Sequence, residues 1–123
     1  MVYSREYELV DDWIRITTTG RIDSGDEFID KVLVGADKVL ELDVRLVLLD
    51  ELQLELALDN LDIKLGVGSL DHSEVHTLGL RIACLFPPAN RALYTMYETV
   101  YRNRSINFRL FDDEQAAIAW LKE

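Results

Sequence analysis

Hydrophobic positions along this chain recur with two different periods. Over residues 13–19, WIRITTT, Ile14 and Ile16 alternate with Arg15, the two-residue repeat of a half-buried strand. Residues 3–9, YSREYEL, contain similar strand-forming types, and only "VDD" separates the two runs. So short a connection predicts an antiparallel hairpin, its second strand ended by Gly20. From Phe28 the spacing changes to three and four. Phe28, Ile29, Val32, Leu33, Ala36, Val39 and Leu40 form one stripe of a helix, with Asp30, Lys31, Asp37 and Lys38 assigned to the opposite, wet face. Ser24 and Glu27, three residues apart, have the form of a capping box, and Asp26 and Glu27 suit the positive end of the helix dipole. Capping accounts for this serine–acid pair without any catalytic role.

The remaining chain continues the alternation. RLVLLD, 45–50, is too apolar to line a wet face and reads as a central strand covered on both sides. Leu52, Leu54, Leu56 and Leu58 alternate with polar or small residues, which predicts extended chain to about Leu58. A short helix follows from about Asn60, capped by Asp59 with Asp62, with Leu61 and Leu65 on one face and Gly66 and Gly68 weakening it or ending it early. LRIACLF, 80–86, is a second covered strand closed by Pro87-Pro88. Leu93, Met96, Tyr97, Val100 and Tyr101 make an amphipathic helix, INFRLF at 106–111 is the last strand, and Asp112 with Gln115 opens a final helix carrying Ala117, Trp120 and Leu121. The order ββαβαβαβα predicts one α/β domain over residues 1–123. Its sheet is mixed, largely parallel and five-stranded, with an antiparallel N-terminal edge hairpin and about four helices.

Composition narrows the partners. Twenty-three acids against thirteen Lys and Arg give a net charge of −10, which repels phosphate backbones, so no nucleic acid is expected. No apolar run nears the roughly 20 residues that cross a bilayer, so membrane insertion is not expected. MVYSREYELVDD lacks the apolar core of a secretion signal, and the single Cys84 forms no internal disulfide, which makes a cytoplasmic location the expectation. Arg91, Arg102, Arg104 and Arg109 form a locally positive segment, read as surface arginines pairing with the acidic remainder.

Candidate chemistry is sparse. Asp50 and Glu51 end the central strand and read as solvated; neighbours on a strand point to opposite faces and do not converge on a substrate. His72 and His76 stand four apart, the spacing of two ligands on a helix, but no third ligand is dictated and no metal is expected. Cys84, inside an apolar strand, reads as a small hydrophobe. With no convergent constellation, no catalytic residue and no cofactor are expected. Tyr94, Tyr97 and Tyr101 line one flank of their helix, and packing on the sheet with hydroxyls reaching water is the expectation. If the helix roofs a cleft, the same tyrosines with Met96 wall an apolar ligand pocket. Strand carboxyl ends add Arg21, Asp23, Asn90 and Arg91 as polar groups of a potential site. Tyr94, Met96, Tyr97, Tyr101, Arg91 and Asn90 together form the candidate ligand or interaction surface.

LRIACLFPP and YETVYRNRSINFRLFDDEQAAIAWL resemble a bacterial family of small STAS-like, SpoIIAA-like proteins, most of them uncharacterised. STAS names the domain shared by sulfate transporters and anti-sigma-factor antagonists. The features that match fall on Glu98, Thr99, Val100, Asn103, Arg104, Arg109, Phe111, Ala119, Trp120 and Leu121, and RLVLLDELQLEL looks like the family's third strand and its exit. The resemblance implies the fold and a non-enzymatic interaction or regulatory module that binds another protein or forms a homodimer. A carrier or sensor of a small apolar or lipid-like ligand is the alternative. Antagonists of this type carry a phosphorylatable Ser or Thr at the start of the helix after this strand. Between Asp50 and Asn60 this chain has no Ser, Thr or Tyr, so the resemblance implies a module without the phosphoswitch.

Overall fold

The computed structural model describes residues 3–72, 74 and 78–123, with the side chain of His72 left out. Strands β1 (Tyr3–Val10) and β2 (Trp13–Ile22) form the antiparallel hairpin, in the register Tyr7↔Ile16. Helix α1 (Gly25–Leu42) follows, then β3 (Leu46–Asp50), a short β4 (Leu54–Leu56) and α2 (Asn60–Gly68). After a 3-10 turn at Ser69–His72 come β5 (Arg81–Leu85), a second turn at Pro88–Asn90, α3 (Arg91–Arg102), β6 (Asn107–Phe111) and α4 (Glu114–Leu121). The sheet runs β1-β2-β3-β5-β6, parallel from β2 onward, and β4 pairs with the far end of β2 as a sixth strand.

Three expectations need revision here: the end of the second strand, the count of five strands and the cap of the last helix. Gly20 does not end β2: it takes a positive φ of 109°, open to glycine at little cost, and the strand continues to Ile22, pairing Gly20↔Leu54 and Ile22↔Leu56. The alternating leucines are therefore a short sixth strand, their buried members being Leu54 and Leu56. The last helix is capped by Asp113, which accepts from Gln115 N at 3.1 Å, one residue later than Asp112.

Strand parity divides the molecule into two layers. Ile14, Ile16, Val47, Leu49, Ile82, Cys84 and Phe108 point to one face, where α1, α2 and α3 bury the main core. Trp13, Leu48, Ala83 and Leu85 point to the other face, where α4 adds Ala117 and Leu121. Helix α1 begins at the expected cap, with Ser24 Oγ accepting from Glu27 N at 3.4 Å, but only this half of the expected capping box forms among the described contacts. Helix α2 has a full capping box: Asp62 N donates to Asp59 Oδ1 at 2.8 Å and Asp59 N to Asp62 Oδ2 at 3.2 Å. Gly66 lets α2 lie close to α1, for a Cβ there would stand 2.2 Å from the Phe28 ring. The free edge of β6 is covered by α3: Glu98 accepts from Leu110 N at 3.0 Å and Arg102 Nε donates to Phe108 O at 2.8 Å. These two side chains occupy edge groups that an added strand would need.

Candidate functional site

Val47, Leu49 and Glu51 share one parity, so the β3 exit aims Glu51 toward α1 and α3 while Asp50 faces α4. On α1, Lys31 stands three residues after Phe28 and one before Val32, which places it on the buried stripe. The two charges meet under α3. Lys31 Nζ lies 2.6 Å from Glu51 Oε2, with the residues 1% and 0% exposed. Neither Glu51 as a solvated strand end nor Lys31 on the wet face of its helix survives. Removing both charges from water is offset by their mutual attraction and by neighbouring hydroxyls.

Those hydroxyls belong to the tyrosine stripe. Tyr94 Oη donates to Glu51 Oε1 at 2.8 Å, and Lys31 Nζ donates to Tyr97 Oη at 3.1 Å. The stripe packs on the sheet as expected, but the Tyr94 and Tyr97 hydroxyls turn inward to the ion pair and not out to water. Around them the rings stack, Tyr97 on Tyr101 at 5.2 Å and Tyr101 on Phe108 at 4.6 Å between centroids. Among the described residues Glu51 Oε2 has its ionic contact and no directed hydrogen bond.

Burial sets the protonation of the cluster. It pushes Lys31 below the usual lysine range, against the pull of Glu51, and the Arg5 charge adds to the depression. It holds Tyr94, Tyr97 and Tyr101 well above the usual phenol range, where the Glu51 charge acts in the same direction. Cys84, fully buried on the same face, is raised for the same two reasons, so its thiol stays protonated.

Beside this cluster a half-open cavity of about 50 Å³ lies between α1, α3 and the sheet. Its walls include Val39, Val47, Leu49 and Ile82, and Lys31, Tyr97, Tyr101 and Arg5 contribute its polar groups. Arg5 crosses α1 at Gly35, where a Cβ would be 3.4 Å from Nη1. It donates to Lys31 O at 3.0 Å, Thr18 Oγ1 at 3.3 Å and Tyr7 Oη at 3.4 Å.

The other candidates are dispersed. Asn90 brackets Leu56, accepting from its N and donating to its O, both at 3.3 Å, and so ties the start of α3 to β4. Arg91 is exposed over Phe86 at 5.0 Å, and Met96 is half-buried against the core. Arg21 pairs with Glu55 at 2.5 Å and with Asp23 at 3.7 Å. Asp50 holds Arg15 at 2.6 Å, and Arg15 also pairs with Glu114. Of the arginine segment, Arg104 binds Asp71 at 2.8 Å and Arg109 stacks on Phe111 at 5.1 Å, so the four positive charges serve separate neighbours. His76 and the side chain of His72 lie outside the described residues.

No protein-family model and no curated protein matches the sequence. Solved structures do. An anti-sigma factor antagonist from Mycobacterium paratuberculosis superposes with a TM-score of 0.60 at 13% identity, over 98% of this chain and 95% of that one. SpoIIAA, an anti-sigma factor antagonist, in its unphosphorylated form gives 0.57 at 16% identity, over 97% and 98%. The chain has the SpoIIAA-like, STAS-like fold. An uncharacterised DUF3478-family protein of SpoIIAA-like fold from Shewanella loihica PV-4 is similar too, at 0.57 and 16% identity over 98% and 94%. Within this STAS-like frame the segment after β3 holds Glu51, β4 and the capped start of α2, and carries no hydroxyl side chain from Asp50 to Asn60. No described helix is long and apolar enough to cross a membrane.

Proposed function

We propose that the protein is a non-enzymatic, cytoplasmic regulatory or interaction module that engages another protein or a second copy of itself. One observation carries the reading: the polar groups at the carboxyl ends of the strands are engaged with one another. Glu51 is taken up by Lys31 and Tyr94, Asp50 by Arg15, Arg21 by Glu55, and Asn90 by the Leu56 backbone. A group held this way is not offered to a substrate. Outside the fold, α2 presents Leu61 and Leu65, at 61% and 56% exposure, one turn apart on its outer face. Of the candidate surface, Arg91 is exposed and Met96 half-exposed, while the tyrosines support it from beneath. Cross-linking the tagged protein in its host tests the reading by comparing wild type with the Leu61→Asp/Leu65→Asp variant. A defined partner or self-dimer, captured by wild type and lost in the variant, is expected. Reproducible turnover abolished by one side-chain change overturns it.

The second reading, a carrier or sensor of a small apolar ligand, is favoured by the cavity beside Tyr97 and Tyr101. Native mass spectrometry of protein purified from its host tests it: a co-purifying small molecule supports a carrier, and a bare chain mass argues against one.

A further inference from the structure

We infer that the cavity between α1, α3 and the sheet is a binding site for a small monocarboxylate, its acid group held by Arg5 and its short apolar tail in the pocket. The inference rests on the second reading and narrows it from an apolar ligand to an acid.

Arg5 sets the chemistry. It is half-buried, and its three acceptors are neutral oxygens: a backbone carbonyl, a threonine hydroxyl and a phenol. Among the described residues no ion pair includes it. A guanidinium presents five N–H donors in a planar fork suited to a carboxylate, and the contacts above leave Nη2 without a hydrogen-bond partner among the described residues. Gly35 lies directly beneath the guanidinium, whose Nη1 is 3.4 Å from where a Cβ would stand, so Arg5 reaches across α1 to the cavity. The second cation of the lining, Lys31, is already matched by Glu51, so Arg5 is the positive charge left to the pocket.

Shape sets the tail. The walls are branched aliphatic side chains, and the volume is about 50 Å³. A dry cavity of about 150 Å³ accommodates benzene, so the pocket takes roughly two or three carbons, with the acid group against Arg5. An acyl chain of lipid length does not fit, and the chain's net charge of −10 disfavours polyanions.

Butyrate and its neutral isostere butyramide are the probes, titrated against the full chain by methyl-resolved NMR. Butyrate is expected to shift the methyls of Val39, Val47, Leu49 and Ile82 saturably, with butyramide about tenfold weaker. Arg5→Gln is expected to erase that difference by weakening butyrate alone. The comparison on unaltered protein stands even if the variant fails to fold. Equal binding of the two probes overturns the carboxylate assignment and leaves the apolar-ligand reading intact. No saturable shift with either probe, or shifts confined to other methyls, overturns both.

Discussion

Replacing Glu51 by Gln isolates the energetics of the buried pair. The substitution keeps size and shape but strands the Lys31 ammonium, 1% exposed, beside a neutral amide. Breaking one partner out of such a pair costs about 3–5 kcal/mol. Domains of this size are stable by roughly 5–15 kcal/mol, so about a fifth or more of the total is at stake, with a loss of about 10 °C or more in Tm. Lys31→Met strands Glu51 in the same way, although Tyr94 still donates to it at 2.8 Å. The double variant Lys31→Met/Glu51→Gln leaves no buried charge and still offers Tyr94 an amide oxygen, so its residual cost is the unpaired amide N–H and the Tyr97 hydroxyl without its Lys31 donor, about 1–3 kcal/mol each. Urea denaturation of all four proteins should therefore give a double variant no worse than the poorer single variant. The cycle should depart from additivity by about 3 kcal/mol. Additive losses, or single variants within about 0.5 kcal/mol of wild type as is usual for surface sites, would refute the buried pair.

Alkaline pH tests the tyrosines. Their folded values are raised, so the folded state keeps protons that the unfolded chain releases above about pH 10. The associated stability is complete below that pH and is lost as pH rises, by up to about 4 kcal/mol per pH unit for three groups, measurable as the urea midpoint against pH. Lys31, lowered when folded, acts with the opposite sign, adding stability as pH rises toward its unfolded value of about 10.4. Gly66→Ala should cost about 1–3 kcal/mol because its Cβ meets the Phe28 ring at 2.2 Å, outweighing a helix-propensity gain of about 1 kcal/mol; a raised urea midpoint would contradict the close approach. Glu98→Ala/Arg102→Ala uncovers the β6 edge and should raise the rate of aggregation seen by light scattering, with little change in the far-UV spectrum.

The layered fold was legible because apolar spacing reports which face of an element is covered. That rule placed the hairpin, α1, the covered strands β3 and β5 and the last two helices, and Ser24 and Asp59 marked two helix starts. The site was legible only in part. Tyr94, Tyr97 and Tyr101 were picked out by their spacing, but spacing does not say what a hydroxyl will touch. Residue type puts Lys31 on the wet face, although its position three residues after Phe28 lies on the buried stripe. Residue type likewise makes Glu51 a solvated strand end, although its parity with Val47 and Leu49 points it into the core. In both, the period carried the right signal and the charge masked it, because a buried charge is tolerated only with a partner distant in sequence. Arg5 was hidden for a related reason: its acceptors come from β1, β2 and α1, and only the folded sheet brings them together.

The central claim is that the polar residues beneath α3 form a closed structural cluster, and Lys31 reports on it most directly. The chain has four lysines, Lys31, Lys38, Lys64 and Lys122, of which only Lys31 is buried. Native-state acetylation read by peptide mass spectrometry should modify the other three and leave Lys31 untouched until the protein unfolds. Acetylation of Lys31 at the rate of Lys64, in protein that remains folded, would contradict the account.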